Sequence, residues 1–349
     1  MVLIRRYDFV VVGAGVMGAA TARALVKTGR STLLIEQFSV GHDRGSSHGR
    51  SRIFRLSYRE QRYVEMAKEA FGLWREIESE ANDQLLFNTG GVDIGEGIEQ
   101  NVQALEASGV DYKHVEGRVA NERFEALALP PYEDVLIQPD ASIVLADRAV
   151  QDLVRVAVGQ GLDLQESIRV DAIDPGDAFV VLRAGSAIIQ AKAVVVTAGP
   201  WARKLLAPIG IHLPVKPTRE SVAYFRLLGP TPPAVVDWGS PTVYALSSPG
   251  EGLKAGRHIA GPVADPDEPG RPDPTSIDRV TTWVQERFRS ADAMPHRTET
   301  CFYTNTADES FILERHGRVV VGSPCSGHGF KFAPLIGQRL ARLAEEVGV

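Results

Sequence analysis

Two cysteines, Cys301 and Cys325, in 349 residues are too few for a disulfide framework or a four-thiolate metal site. No grouping of His, Cys and Asp has metal-ligand spacing either, so no metal is expected. This cysteine usage fits a reducing compartment, and a cytoplasmic location is expected. Charge of one sign does not dominate. There are 38 Lys and Arg against 44 Asp and Glu, a net charge of −6, which gives no footing for nucleic-acid binding. No apolar run approaches the roughly 20 residues that a membrane-spanning helix needs, so no membrane partner is expected. The first apolar run, behind Arg5 and Arg6, ends in a glycine motif and not in the cleavage region of an export signal. Internal repeats and low-complexity linkers are also lacking. The most irregular stretch, residues 261–275, is rich in Pro, Asp and Gly and reads as a surface loop. What remains is an ordinary globular composition, 44% hydrophobic and 23% charged, long enough for two domains.

The first motif is a βαβ unit. Residues 8–12 (DFVVV) are a short β-branched run of the kind a buried parallel strand has. They run into Gly13-Ala14-Gly15-Val16-Met17-Gly18. Residues 19–27 are strong helix formers closed by Gly29, and residues 31–35 read as a second strand ending at Glu36. In such a unit Gly13 makes the tight turn and Gly15 lets a pyrophosphate approach the helix N-terminus. Gly18 lets helix and strand pack closely. Glu36 follows Gly18 by 18 residues, where an acid can hydrogen-bond an adenosine ribose. The bland alternative is a glycine-rich turn with no ligand; the strand, helix and acid in the required order favour dinucleotide binding. The motif does not choose between FAD and NAD.

Three further segments bear on that choice. Five arginines stand between residues 44 and 59 with no acid among them. Such a segment meets phosphate or carboxylate, or is a solvated basic loop leading into a helix over residues 63–77. Residues 193–201 (AVVVTAGPW) read as another buried strand that returns to the nucleotide at a turn carrying Gly199 and Trp201. Near the C-terminal end, Gly322, Gly327 and Gly329 free the backbone to approach a ligand. A helix over residues 335–347 then offers its N-terminus to a cofactor edge.

Together SSHGRSRIFR, GLKAGRH, TCFYTNTADESFIL and SGHGFKFAP give the chain a resemblance that no segment carries alone. The chain resembles the monomeric sarcosine oxidase and N-methyltryptophan oxidase family, within the D-amino acid oxidase-like flavoproteins, from about residue 7 to about residue 343. The resemblance implies FAD as cofactor, held covalently through Cys301, with a thiolate near cations as the reactive form. Arg52 corresponds to an arginine against the flavin ring, and Arg55 and Lys331 to the pair that grips a substrate carboxylate. Lys254 corresponds to the lysine that activates oxygen, and His258 to an active-site histidine. Tyr303 and, with a one-residue gap, Tyr244 correspond to pocket tyrosines. Ser47, His48, Gly327, His328 and Gly329 fall in flavin-contacting turns, with His48 expected to position backbone. Singly, Lys254 reads as a surface lysine, His258 as a satisfied core histidine and Cys301 as a buried structural thiol.

The resemblance also marks departures. Family members run on past the point where this chain stops. Arg257 stands where an aromatic residue is common and could admit a second acidic group to the pocket. Cys325 replaces a small or apolar residue.

The expected fold class is α/β with an α+β substrate domain. A Rossmann-like FAD domain (residues 1–86, 144–213 and 307–349) is interleaved with a mixed or antiparallel-sheet substrate domain (residues 87–143 and 214–306). The β-rich stretches 221–227 and 242–247 belong to the latter. The flavin is expected at the boundary between them. The implied reaction is oxidation of a secondary amino acid, N-methyl or cyclic, with hydride transfer to flavin and reduction of O2 to H2O2. The expected partners are a small amino-acid substrate and O2, and the expected state is a monomer. The rivals are a dehydrogenase or biosynthetic amine oxidase with another acceptor or substrate, a flavin-binding subunit without catalysis, and an NAD(P)-dependent dehydrogenase. The last explains GAGVMG but not Cys301 or the SGHGFKF turn.

Overall fold

The computed structural model describes residues 4–348. Its first sheet is built around the strand Ile4–Val12, which pairs in parallel with Thr32–Ile35 on one side and Ala187–Val196 on the other. Asp163–Gln165 extends the parallel order beyond Thr32–Ile35, and Val319–Ser323 extends it beyond the C-terminal half of Ala187–Val196. Ile312–His316 closes that edge in antiparallel pairing. The N-terminal half of Ala187–Val196 pairs on its other side, antiparallel, with Val180–Ala184, which pairs in turn with Val170–Pro175. One long strand thus joins the parallel and antiparallel parts of a single sheet.

The alternation of side chains along Ile4–Val12 explains the stacking. Phe9 and Val11 bury against the helices Val16–Val26, Ala146–Gly159 and Ala333–Glu345. Val10 and Val12 bury against the antiparallel part, meeting Leu182 and Ile189. The strand starts earlier than its apolar run. Arg5 and Arg6 extend it by pairing with Ile189 and Gln190, and the Arg6 Nε donates to Gln190 Oε1 at 3.0 Å. The apolar residues mark only its buried part. The first helix also starts earlier, at Val16, because the glycine turn is itself its first turn. The helix expected over 63–77 spans Gln61–Ala81. Tyr63, Val64, Ala67, Ala70, Trp74, Ile77 and Ala81 recur every three or four residues along its buried face.

The second sheet is mixed and has eight strands. In spatial order they are Arg297–Asn305, Lys216–Phe225, Gly252–Arg257, Val243–Ser248, Ala234–Asp237, Gly91–Ile94, Asp134–Gln138 and Lys113–Glu116. All junctions are antiparallel except that of Ala234–Asp237 with Gly91–Ile94. Helix Pro274–Arg287 backs this sheet, with Val280, Trp283 and Val284 packed among Ala223, Phe225 and Ala255. Its start is fixed by sequence. Asp273 accepts from the Thr275 and Ser276 N–H groups, and Pro274 occupies the first turn. A small sheet of Ser51–Phe54, Ser142–Leu145 and Leu86–Asn88 completes the arrangement. The two large sheets draw alternately on the chain, which is the interleaved α/β class expected. Among the described residues no helix is long and apolar enough to cross a membrane, and no group of three or more His, Cys, Asp or Glu could hold a metal ion.

Candidate active site

A cavity of about 620 Å³ takes its lining from both large sheets. It extends from Gly13, Gly15 and Glu36 to Arg55, Lys254 and Lys331. At the nucleotide end Gly13 has φ +98°, and a Cβ there would lie 2.8 Å from the Thr197 carbonyl oxygen. Gly18 does not line the cavity; a Cβ on it would sit 1.8 Å from the Gly13 carbonyl oxygen, so it packs the helix onto the turn. The Ser47 hydroxyl accepts the Val16 N–H at 3.0 Å, at the helix N-terminus where a phosphate oxygen is expected. Glu36 is buried, and its oxygens accept from Ala14 N at 2.7 Å and Phe38 N at 3.0 Å. The carboxylate therefore fastens the glycine loop, and its remaining lone pairs can still meet a ribose hydroxyl. Gly199 and Trp201 line the same end, with the Trp201 indole N–H bonded to Asp267 at 2.7 Å.

The middle of the cavity is held by the loop that carries the arginines. Arg52 donates to the carbonyls of Ser46, His48 and Ser51 at 2.8, 2.6 and 2.9 Å, which locks its guanidinium against its own loop. The His48 nitrogens lie 3.2 Å from the Gly45 carbonyl and 3.1 Å from the Thr300 carbonyl, tying the loop to strand Arg297–Asn305. Burial, then the charge of Arg52, pushes the His48 pKa down to about 4. The ring is neutral at pH 7, as suits a positioning residue. Cys301 is buried on that same strand. Burial outweighs the cations Arg52 and Lys254 and pushes its thiol up to about 11. The resting form in this pocket is the thiol, from which a reactive thiolate has to be drawn. The Lys254 Nζ is 3.5 Å from the Ser51 carbonyl, and burial followed by Arg52 brings its pKa down to about 7. Tyr244 and Tyr303 line the cavity with hydroxyls raised above their ordinary value, chiefly by burial.

The far end is cationic and poorly compensated. Arg55 is buried, and its Nη1 has no hydrogen-bond partner among the described residues. Its guanidinium stands 4.3 Å from the Tyr58 ring centre and 4.9 Å from that of Trp238. The Lys331 Nζ donates to the Tyr58 hydroxyl at 2.7 Å and to the His328 carbonyl at 2.9 Å. Burial, then Arg55, holds this lysine well below its ordinary pKa. An unpaired buried guanidinium beside a destabilised ammonium is a site that awaits an anion. Gly327, His328 and Gly329 form the adjoining turn; a Cβ on Gly329 would strike the Pro324 carbonyl at 1.7 Å. His258 faces Glu309, with Nε2 to Oε2 at 3.2 Å.

Every site residue proposed from the sequence lines this cavity except Gly18. Two expectations shift. Arg257 lies off the cavity, so it brings no charge there, and a Cβ on Gly322 would meet Leu340 at 2.5 Å, so that glycine also serves helix packing. Residues given no site role from the sequence also line it, among them Tyr58, Trp238, Glu309 and Arg59, the last of the five arginines. Tyr58 and Arg59 continue the arginine segment and were within reach of a reading of its spacing. Trp238 sits in an unpatterned stretch and gave no signal. The elongated cavity, the close-approach glycine turn at one end and the orphaned Arg55 nitrogen at the other fit a bound FAD with a small anion beyond its ring. Gly13, Gly15, Glu36 and Ser47 would hold the adenosine and pyrophosphate; Arg52, Cys301 and the 327–329 turn would surround the ring.

Comparison with known proteins agrees with that geometry. The family described as FAD dependent oxidoreductase (DAO) matches residues 8–343. The chain is 34% identical to the peroxisomal sarcosine oxidase of Homo sapiens, over 97% of this chain and 92% of that protein. It is 28% identical to the monomeric sarcosine oxidase of a Bacillus strain (NS-129), again over 97% and 92%. Among solved structures, NikD, an unusual amino acid oxidase essential for nikkomycin biosynthesis, superposes with a TM-score of 0.89 at 25% identity, covering 98% of this chain and 94% of its own. L-proline dehydrogenase from P. horikoshii shares the fold, with a TM-score of 0.87 at 20% identity over 99% and 94%.

Proposed function

The chain belongs to the DAO family of FAD-dependent oxidoreductases, and from that membership we propose that it oxidises a secondary amino acid, N-methyl or cyclic, to an imine with O2 as acceptor and H2O2 as product. The observation that carries the reading is the buried Arg55–Lys331 pair, with Arg55 Nη1 left without a hydrogen-bond partner among the described residues, in one cavity with Cys301 and Lys254. The nicotinamide alternative falls with the family match.

Bound FAD supplies the acceptor for a hydride. Arg55 and Lys331 grip the substrate carboxylate and so orient its C–H bond. The surrounding cations disfavour a protonated amine, which keeps the nitrogen lone pair available. Tyr244, Tyr303 and His258 wall the reacting centre, and Arg52 supplies fixed positive charge beside it. Lys254 is the proposed cation for oxygen reduction, and Cys301 the proposed covalent tether. Sarcosine is the default substrate, on the strength of the relatives' names. The proposed division gives residues 1–86, 144–213 and 307–349 to the FAD domain and 87–143 and 214–306 to the substrate domain. It is supported by where the strands of each sheet arise in the chain. A cytoplasmic monomer completes the reading.

Anaerobic addition of sarcosine, another N-methyl amino acid or proline to the purified yellow protein tests it. Loss of flavin colour, restored by air with one peroxide per substrate, is the expected result. Bleaching without peroxide would replace O2 by another acceptor, and colour that no secondary amino acid bleaches would contradict the oxidase reading.

A further inference from the structure

The mouth of the cavity carries a cation that the proposed reaction does not use. Arg59 lines the cavity and has no carboxylate within ion-pair distance among the described residues. Its guanidinium is nevertheless held in place. It lies 5.3 Å from the Trp238 ring centre, and its Nη2 donates to the Glu96 carbonyl at 3.2 Å. It also packs flat on Gly97, which has φ +76°; a Cβ there would stand 2.9 Å from Nη2. The platform is itself anchored, because the Trp238 indole N–H donates to the buried Asp93 carboxylate at 2.8 Å. Arg55 stands 4.9 Å from the same indole. The two guanidinium carbons are therefore within about 10 Å of each other, the two distances to the ring centre being 4.9 and 5.3 Å.

We propose that Arg59, which shares the Trp238 ring with Arg55, forms a second carboxylate site, so that the enzyme takes secondary amino acids with an acidic side chain. The inference rests on the amino-acid oxidase reading for its chemistry but not for its anion site. With the α-carboxylate on Arg55 and Lys331, a side-chain carboxylate two methylenes from Cα spans towards Arg59. The acids that share the mouth are each engaged. Glu60 pairs with Arg62 at 2.7 Å, Glu309 with His258 at 3.2 Å, and Asp308 accepts the Ser310 N–H at 3.1 Å. Arg59 alone among these charges is left with only a carbonyl. A planar fork over an indole is suited to a carboxylate and would be poorly replaced by lysine.

The test is equilibrium binding of glutarate and of its monoamide to the holoenzyme, followed by the flavin spectrum or by calorimetry. The two ligands match in shape and differ in one charge. Glutarate should bind the wild type about threefold to fivefold more tightly than the monoamide, the upper range for an exposed ion pair. Arg59→Gln should abolish that advantage. In turnover, the ratio of kcat/KM for N-methylglutamate to that for sarcosine should fall in the variant by a similar factor. Equal binding of the two ligands to the wild type, or an advantage unchanged in Arg59→Gln, would overturn the proposal. A glutarate preference without turnover of any N-methyl amino acid would leave the second site standing and sink the oxidase reading instead.

Discussion

At the scale of single residues, the site is a set of ionisable groups driven from their ordinary values by burial, and two of them give measurable consequences. Lys331 is held well below its usual pKa, first by burial and then by Arg55. A carboxylate arriving between the two favours the charged lysine. Binding of acetate to the oxidised enzyme should therefore take up a proton wherever the free lysine is neutral, and affinity should fall as pH rises. Calorimetry in two buffers of different ionisation enthalpy measures that uptake; binding independent of both buffer and pH would contradict it. Lys254 sits near pH 7 against an ordinary value of 10.5. The unfolded chain binds the proton more tightly than the folded one. Below about pH 7 both states are charged and the burial cost is fully present; it fades as pH rises towards 10.5. Lys254→Met removes that cost, so Tm should rise by about 2–4 °C at pH 6 and by less at pH 9. The same variant should react with oxygen about 100-fold more slowly once reduced, which separates its chemical role from its stability penalty.

At the scale of elements, the first βαβ unit was legible in the sequence and most of the substrate end was not. Gly13, Gly15 and Gly18 announce themselves because a backbone fit of this kind admits no side chain, and the helix and strands around them follow the apolar pattern. Gly18→Ala would set a Cβ 1.8 Å from the Gly13 carbonyl, with backbone on both sides of the clash. The helix must move off the turn. Purified Gly18→Ala should carry little FAD and unfold at lower urea than wild type by about 1–3 kcal/mol; full cofactor content would show that the turn has slack. Element boundaries were less legible where polar residues extend an element, as Arg5 and Arg6 do for the first strand. The aromatic brackets of Arg55 were less legible again. Tyr58 lies three residues on in the chain, but Trp238 reaches the arginine only because the end of strand Ala234–Asp237 in the mixed sheet meets the end of strand Ser51–Phe54 in the small one. Contacts made by one sheet roofing another have no local period to betray them. Arg257 shows the converse: its place beside His258 suggested the pocket, yet it stands three residues from the cavity-lining Lys254 on strand Gly252–Arg257, and residues at odd spacing on a strand point to opposite faces.

At the scale of the whole molecule, one cavity joins chemistry from distant parts of the chain. The glycine turn comes from the first 18 residues, Lys254 from the middle of the mixed sheet, Cys301 from its edge strand, and Lys331 from the turn before the last long helix. The first sheet brings the dinucleotide motif, the mixed sheet brings Lys254 and Cys301, and Arg55 and Lys331 come from the segments after Ser51–Phe54 and before Ala333–Glu345. Cys301 is proposed as the covalent tether of a flavin whose single site joins the nucleotide end to the reacting end. Mass spectrometry of the tryptic peptide containing Cys301, from protein precipitated with acid, tests it most directly. A tether at Cys301 gives a peptide heavier by one covalently bound flavin, with yellow colour in the wild-type pellet and in the supernatant of Cys301→Ala. An unmodified Cys301 peptide, with colour released from the wild type, would contradict it.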